Sequence, residues 1–158
     1  MQRPAHRRGE PLLNRATFLR VYAWLGPLES ALTLGGYFFS YWLAGWQPGT
    51  PLADQGAAYL TATTATLAGI VTCQMGNVLA CRSRSESIWQ LGFTSNRTLL
   101  VGIGVALLLV GLLIYIPPLA AIFELAPLRP QHWALLCTFG PLLLGLEEVR
   151  KAAVRGAR

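Results

Sequence analysis

Long runs without charged residues dominate the chain. They cover residues 21–46 (with Glu29 as the one charged position), 57–81, 98–119 and 132–146. A helix needs about 20 apolar residues, each rising ~1.5 Å, to cross ~30 Å of hydrocarbon. The first three runs are long enough, and the fourth is long enough only if its helix continues to Lys151. The pattern predicts an all-α membrane protein, a bundle of four transmembrane helices at about 17–46, 57–81, 98–118 and 132–151.

The fourth helix is open to a second interpretation, because apolar runs of this length also form core helices of soluble domains. Composition favours the membrane: 53% of the residues are hydrophobic and 13% are charged, against about 25% charged in a typical soluble domain. The expected surrounding of the chain is therefore a lipid bilayer.

The basic residues set the expected orientation. Of the 13 lysines and arginines, five precede the first run, three lie between the second and third, and four follow the fourth. This leaves Arg129 alone on the opposite side. Because cytoplasmic loops carry the excess of basic residues, we expect both termini in the cytoplasm and an even number of spans. Residues 1–16 form a basic cytoplasmic flank, and a positive charge distributed in this way argues against nucleic acid as a partner.

Glycine, proline and charged positions predict local features of the helices. Gly26-Pro27 in the first helix and Gly140-Pro141 in the fourth predict kinks. The pattern of residues 85–92 predicts an amphipathic segment at the interface. The charged residues that close the fourth helix allow i,i+3 and i,i+4 pairs, such as Glu147 with Lys151; they are Glu147, Glu148, Arg150 and Lys151. In the second helix a polar stripe adjoins a stripe of small residues, which is typical of a helix packed against protein. The small stripe contains Gly69, Cys73, Gly76 and Ala80.

Three polar side chains inside the runs are candidates for function. Glu29 is the one acid well inside a span, and an ionisable residue at that depth is costly enough to suggest a role. Gln74 and Asn77 are carboxamides three residues apart in the second helix. Each of the three side chains has two possible roles. It is either a cation ligand (or, for Glu29, a proton relay) or it forms a structural hydrogen bond between helices.

Several kinds of chemistry are missing from the sequence. Asp54 is the one aspartate of the chain, and there is no phosphate-binding loop, dinucleotide turn or nucleophile motif. The three cysteines form no CxxC pair and have no nearby histidine, which argues against a metal site. We predict no catalytic residues, no metal ligands and no cofactor in this chain, which is not expected to be an enzyme on its own.

A set of short motifs nevertheless resembles one family of membrane proteins. They are C-Q-M-G-N at 73–77 followed by C-R-S at 81–83, S-I-W-Q-L-G at 87–92, Y-I-P-P-L at 115–119, and L-E-E-V-R-K at 146–151. In this order and spacing they resemble the last four transmembrane helices of type II P-type cation-transporting ATPases. The resemblance covers about residues 13–155.

The resemblance implies a function and a partner. It implies that residues 17–158 are the C-terminal transmembrane domain of a cation pump, supporting translocation only together with the remaining segments of the ATPase. Those segments carry the phosphorylated aspartate and bind ATP and Mg²⁺. It also implies that Gln74 and Asn77 stand where calcium pumps place a glutamate and sodium/potassium pumps an aspartate. The expected location is a bacterial plasma membrane, and the alternative is a freestanding small membrane protein that binds or regulates a partner.

Overall fold

The computed structural model describes residues 18–82, 92 and 95–156. Its elements are a π-helical segment Arg20–Leu25, α1 (Gly26–Leu43), α2 (Gly56–Ala80), α3 (Arg97–Tyr115), a short α4 (Pro117–Ile122) and α5 (Pro130–Gly156). The described part of the chain contains no strand, which confirms the all-α prediction. The predicted basic flank, and all of the amphipathic segment except Gly92, lie outside the described residues.

The first helix changes geometry where a kink was predicted. Pro27 has no N–H to donate, and its ring crowds the carbonyl four residues earlier. Directly before it the backbone is π-helical, and the Gly26 N–H donates to the Val21 carbonyl five residues back. A π-helical turn of this kind lets the helix pass a position where α-helical hydrogen bonding fails.

Two helices end a few residues before the approximate predicted positions, for local reasons. The first helix ends at Leu43 rather than near residue 46, because Gly45 has a φ of +91°. There the Trp46 N–H donates to the Tyr41 carbonyl and closes the turn. The third helix ends before residue 118, because Ile116 precedes a proline and is extended, and the chain then restarts as α4.

The fourth predicted helix is longer than expected. α5 runs without interruption through Pro141 and continues beyond Lys151 to Gly156. Two ion pairs of the predicted i,i+3 spacing form, since Lys151 Nζ lies 3.0 Å from Glu148 Oε1 and Arg150 lies 2.7 Å from Glu147. Glu147 is fully buried and also pairs with Arg20, which precedes α1, at 2.7 Å. The Arg20 guanidinium therefore joins the start of the first helical stretch to the second half of α5.

The core lies between α1, α2 and α5. Leu136, Phe139 and Leu143 of α5 are buried against Ala65 and Ala68 of α2. Glycine makes this packing possible at its tightest point, because a methyl group added at Gly76 would collide with the backbone carbonyl of Gly140. The small stripe predicted on the second helix therefore packs against α5.

Two helices of the described residues, α2 and α3, are long and apolar enough to cross a membrane. Their surroundings differ, because 39% of the most apolar part of α2 is buried inside the protein and only 11% of that of α3. α3 buries Val110 and Ile114 and leaves a row of large apolar side chains exposed, among them Val101, Leu108 and Leu109. α2 is therefore the central helix of the bundle, and α3 lies at its edge.

The contact between Gly76 and Gly140 gives a first prediction. Replacing Gly76 by alanine should lower the free energy of unfolding by about 1–3 kcal/mol, the usual cost of overpacking a tight contact. The measurement is denaturant unfolding of the purified chain in detergent. Gly145→Ala is the matched control, because a methyl group there meets nothing within 4 Å. Equal stability of the two variants would contradict the close approach of α2 and α5.

Candidate functional site

The structure brings the three candidate residues together. Glu29 lies in the first turn of α1, opposite the last turns of α2. Its Oε1 accepts a hydrogen bond from Gln74 Nε2, and its Oε2 accepts one from Asn77 Nδ2, each at 2.8 Å. One carboxylate is thus held by two amides from a neighbouring helix.

Local sequence places each partner. Residues three apart share a face of an α-helix, so Gln74 and Asn77 both point toward α1. The helices approach closely a little farther along, where a methyl group added at Gly69 would meet the Thr33 side chain at 3.4 Å. The Thr33 hydroxyl donates to the Glu29 carbonyl at 2.9 Å and so adds no competing donor to the space between the helices.

The orientation of the amides follows from the charge they meet. An amide oxygen facing a carboxylate would be repelled, so each NH₂ group must point to Glu29. The amide oxygens are then directed elsewhere. Asn77 Oδ1 is buried and has no hydrogen-bond partner in the described part of the chain. A buried acceptor without a donor is uncommon and calls for an explanation.

The site carries a negative charge that its neighbours do not neutralise. Both side-chain partners of Glu29 are uncharged, and no lysine or arginine of the described residues forms an ion pair with it. A carboxylate and a free amide oxygen are ligands that hard cations prefer. The same arrangement could hold a proton. The cluster therefore has the chemistry of a binding site for a cation or a proton.

The site opens at the surface of the bundle. Glu29 and Asn77 are half-buried, whereas Gln74 is exposed, together with Ile70 and Val78 one turn before and after it. The polar stripe of α2 is therefore only partly covered by α1. The described residues contain no group of three histidine, cysteine, aspartate or glutamate side chains close enough to hold a metal ion.

Sequence reasoning missed the second charged cluster, where Glu147 meets Arg20. The available signal was topological, because the distribution of basic residues predicts the start of the first helix and the end of the last on one side of the membrane. The Arg20 guanidinium also lies 3.4 Å from the Ala80 carbonyl at the end of α2. This cluster is neutralised within the chain, unlike Glu29.

The helices and motifs define a membrane region of an ion-transporting protein. Residues 1–153 match the family described as cation transporting ATPase, C-terminus. The chain belongs to this family and is a C-terminal membrane module of a P-type cation-transporting ATPase. Of the two functions inferred from the sequence, this supports the pump module over the freestanding regulator.

Similar proteins include both calcium- and potassium-transporting ATPases. The chain is 29% identical over 151 residues to calcium-transporting ATPase type 2C member 2 of Mus musculus, covering 96% of this chain and 15% of that protein. It is 27% identical over 177 residues to potassium-transporting ATPase alpha chain 1 of Xenopus laevis, covering 97% and 17%. It is 28% identical over 133 residues to probable cation-transporting ATPase F of Mycobacterium bovis, covering 84% and 13%. The chain thus spans about a sixth of the length of these relatives.

The bond between Glu29 and Asn77 gives a second prediction. In a double-mutant cycle of Glu29→Leu and Asn77→Leu, the two changes should be non-additive by about 0.5–2 kcal/mol, the range of hydrogen bonds between membrane helices. The measurement is again unfolding in detergent. Thr138→Val is the control partner because Thr138 is exposed on α5, and it should be additive with Glu29→Leu within about 0.5 kcal/mol. Additivity of the first pair would show that the carboxylate and amide do not interact.

Proposed function

We propose that this chain contributes Glu29, Gln74 and Asn77 to the cation path of an assembled P-type ATPase. The observation that carries the proposal is the carboxylate of Glu29, which has neutral amides as its side-chain partners and lies beside the unpaired oxygen of Asn77. In a membrane such a charge is stable only with a counter-ion, a proton or further polar groups around it. A transported cation supplies what the cluster lacks.

The rest of the ATPase completes the site in this proposal. The face of α2 that carries Gln74 is open, and an amide directed at hydrocarbon has nothing to bond. Further helices of the pump cover this face and provide the remaining ligands. They also supply the aspartyl phosphate and the binding of ATP and Mg²⁺, because Asp54 is the one aspartate in this chain. The partners are thus the bilayer and the other segments of the ATPase.

The proposed arrangement in the membrane has four spans. α2 and α3 cross fully, and the first helical stretch and α5 cross beside them, so that both termini lie in the cytoplasm. The distribution of basic residues supports this orientation. The ion pair between Arg20 and Glu147 supports it too, since it joins the start of the first span to the end of the last.

Topology is tested by labelling a cysteine introduced at position 54, in the loop between α1 and α2. It should react with a membrane-impermeant reagent from the outside of intact cells and should be protected in inverted vesicles. A cysteine introduced at position 156, at the end of α5, is the opposite control. Reaction of position 54 from the cytoplasmic side would overturn the four-span arrangement.

The cation role is tested in a chimera in which this chain replaces the matching region of a related cation-transporting ATPase. Gln74→Glu adds a second carboxylate beside Glu29 and should increase apparent cation affinity about tenfold, equivalent to ~1.4 kcal/mol. Glu29→Gln should decrease it by a similar factor. The readout is cation-dependent phosphorylation by ATP.

Gln47→Glu makes the same chemical change in an exposed turn and should leave the affinity unchanged. The purified chain alone should incorporate no hydroxylamine-sensitive phosphate from ATP. An active chimera whose affinity for calcium, sodium, potassium and protons is unaffected by the changes at 29 and 74 would leave only a structural role for the cluster.

A further inference from the structure

A cavity of about 460 Å³ lies at the opposite end of the bundle from Glu29. It is partly open to the surface and is lined by the end of α1, the start of α2 and the segment that leads into α5. Most of its wall is apolar, with Leu43, Ala57 and Leu128 as representative lining residues. The polar part of the wall includes Arg129 and His132, and these two side chains determine what the cavity can bind.

His132 is a buried donor without an acceptor. The side chain is 3% exposed, and its Nδ1 accepts a hydrogen bond from the Arg129 backbone N–H at 3.1 Å. A neutral imidazole that accepts at Nδ1 carries its proton on Nε2. Nε2 is buried and has no partner in the described part of the chain. An oxygen atom brought into this region would satisfy a donor that is otherwise unpaired.

Arg129 adds a positive charge at the cavity. Its guanidinium is exposed and has neither a hydrogen bond nor an ion pair with the described residues. The described lining residues include no aspartate or glutamate. The charge of the wall is therefore positive, and it favours an anionic group with several oxygen acceptors, as a phosphate provides.

The aromatic side chains near the cavity are of the kind found at the level of lipid headgroups. Trp133 Nε1 donates to the Tyr115 hydroxyl at 2.6 Å, and that hydroxyl donates to the Leu128 carbonyl at 2.9 Å. In the turn after α1, Trp46 Nε1 donates to the Thr50 carbonyl at 3.0 Å. Amphipathic rings with bonded polar tips gather at membrane–water interfaces.

We propose that this cavity binds the phosphate of an anionic phospholipid, with Arg129 and His132 as donors and the apolar wall against the lipid chains. The proposal explains an exception in the charge pattern, because Arg129 is the one basic residue on its side of the membrane while the other 12 lie opposite. This explanation, and the assignment of the lipid to the outer leaflet, rest on the proposed topology.

The test measures lipid retained by the purified chain in detergent, by native mass spectrometry, after incubation with phosphatidylglycerol or phosphatidylcholine. Phosphatidylglycerol should be retained in preference to phosphatidylcholine. Arg129→Gln should weaken its binding about tenfold, the scale of one lost charge-assisted hydrogen bond. Arg129→Lys should restore part of it. Arg97→Gln is the matched control, because Arg97 is exposed at the other end of α3.

Three results would overturn the proposal. Equal retention of the two lipids would show that the cavity does not distinguish an anionic headgroup from a zwitterionic one. An unchanged affinity of the Arg129→Gln variant for phosphatidylglycerol would show that the guanidinium does not contact the lipid. If inorganic phosphate raises the thermal stability of the chain as much as phosphatidylglycerol does, free phosphate is the ligand. None of these readouts involves cation affinity, so the lipid site and the cation path fail or succeed separately.

Discussion

The close approach of α2 and α5 at Gly76 and Gly140 determines the arrangement of the bundle. Without side chains at these positions the two backbones come into contact, and α2 is fixed in rotation between α5 on one side and α1 on the other. Because the contact lies between Gln74 and Asn77 in the sequence, it also determines the direction of both amides. Glu29 is met by two donors because α2 has little freedom to turn.

The bundle holds its charged groups in two different ways. Near the ends of α2 and α5, Glu147 is fully buried but has two arginine partners at 2.7 Å. Removing one partner from such a group is costly, which makes the cluster a firm link between distant parts of the chain. Glu29 has amides instead, so its negative charge is oriented but not neutralised. The first arrangement is suited to holding helices together, and the second to receiving a positive ion.

The sequence predicted the helices better than their ends. The uncharged runs locate α2 and α3, because a helix satisfies the backbone groups of one long apolar segment in lipid within the segment itself. The end of α1 depends on the left-handed backbone of Gly45, and the end of α3 on the conformation that Pro117 imposes on Ile116; each is a property of one or two residues.

The convergence of Glu29 with Gln74 and Asn77 could not be predicted from their spacing in the sequence, since it depends on how two helices are rotated. Pairing of Glu147 with Arg20 rather than Lys151 likewise requires a contact between distant segments.

The π-helical segment before Pro27 has a consequence for how the chain tolerates insertions and deletions. A π-helical turn contains one residue more than an α-helical turn, so it is equivalent to a single inserted residue. Deleting one residue between Arg20 and Leu25 would return this stretch to α-helical winding and keep everything before it in phase. Converting the turn to α-helical winding with all its residues retained would instead rotate everything before it by about 100° around the helix axis. Glu29 would keep its place beside α2, while Arg20 would turn away from Glu147. The irregular turn therefore fixes the rotation of Arg20 relative to Glu29, and regular α-helical winding of the same residues would separate Arg20 from Glu147 without altering either set of side chains.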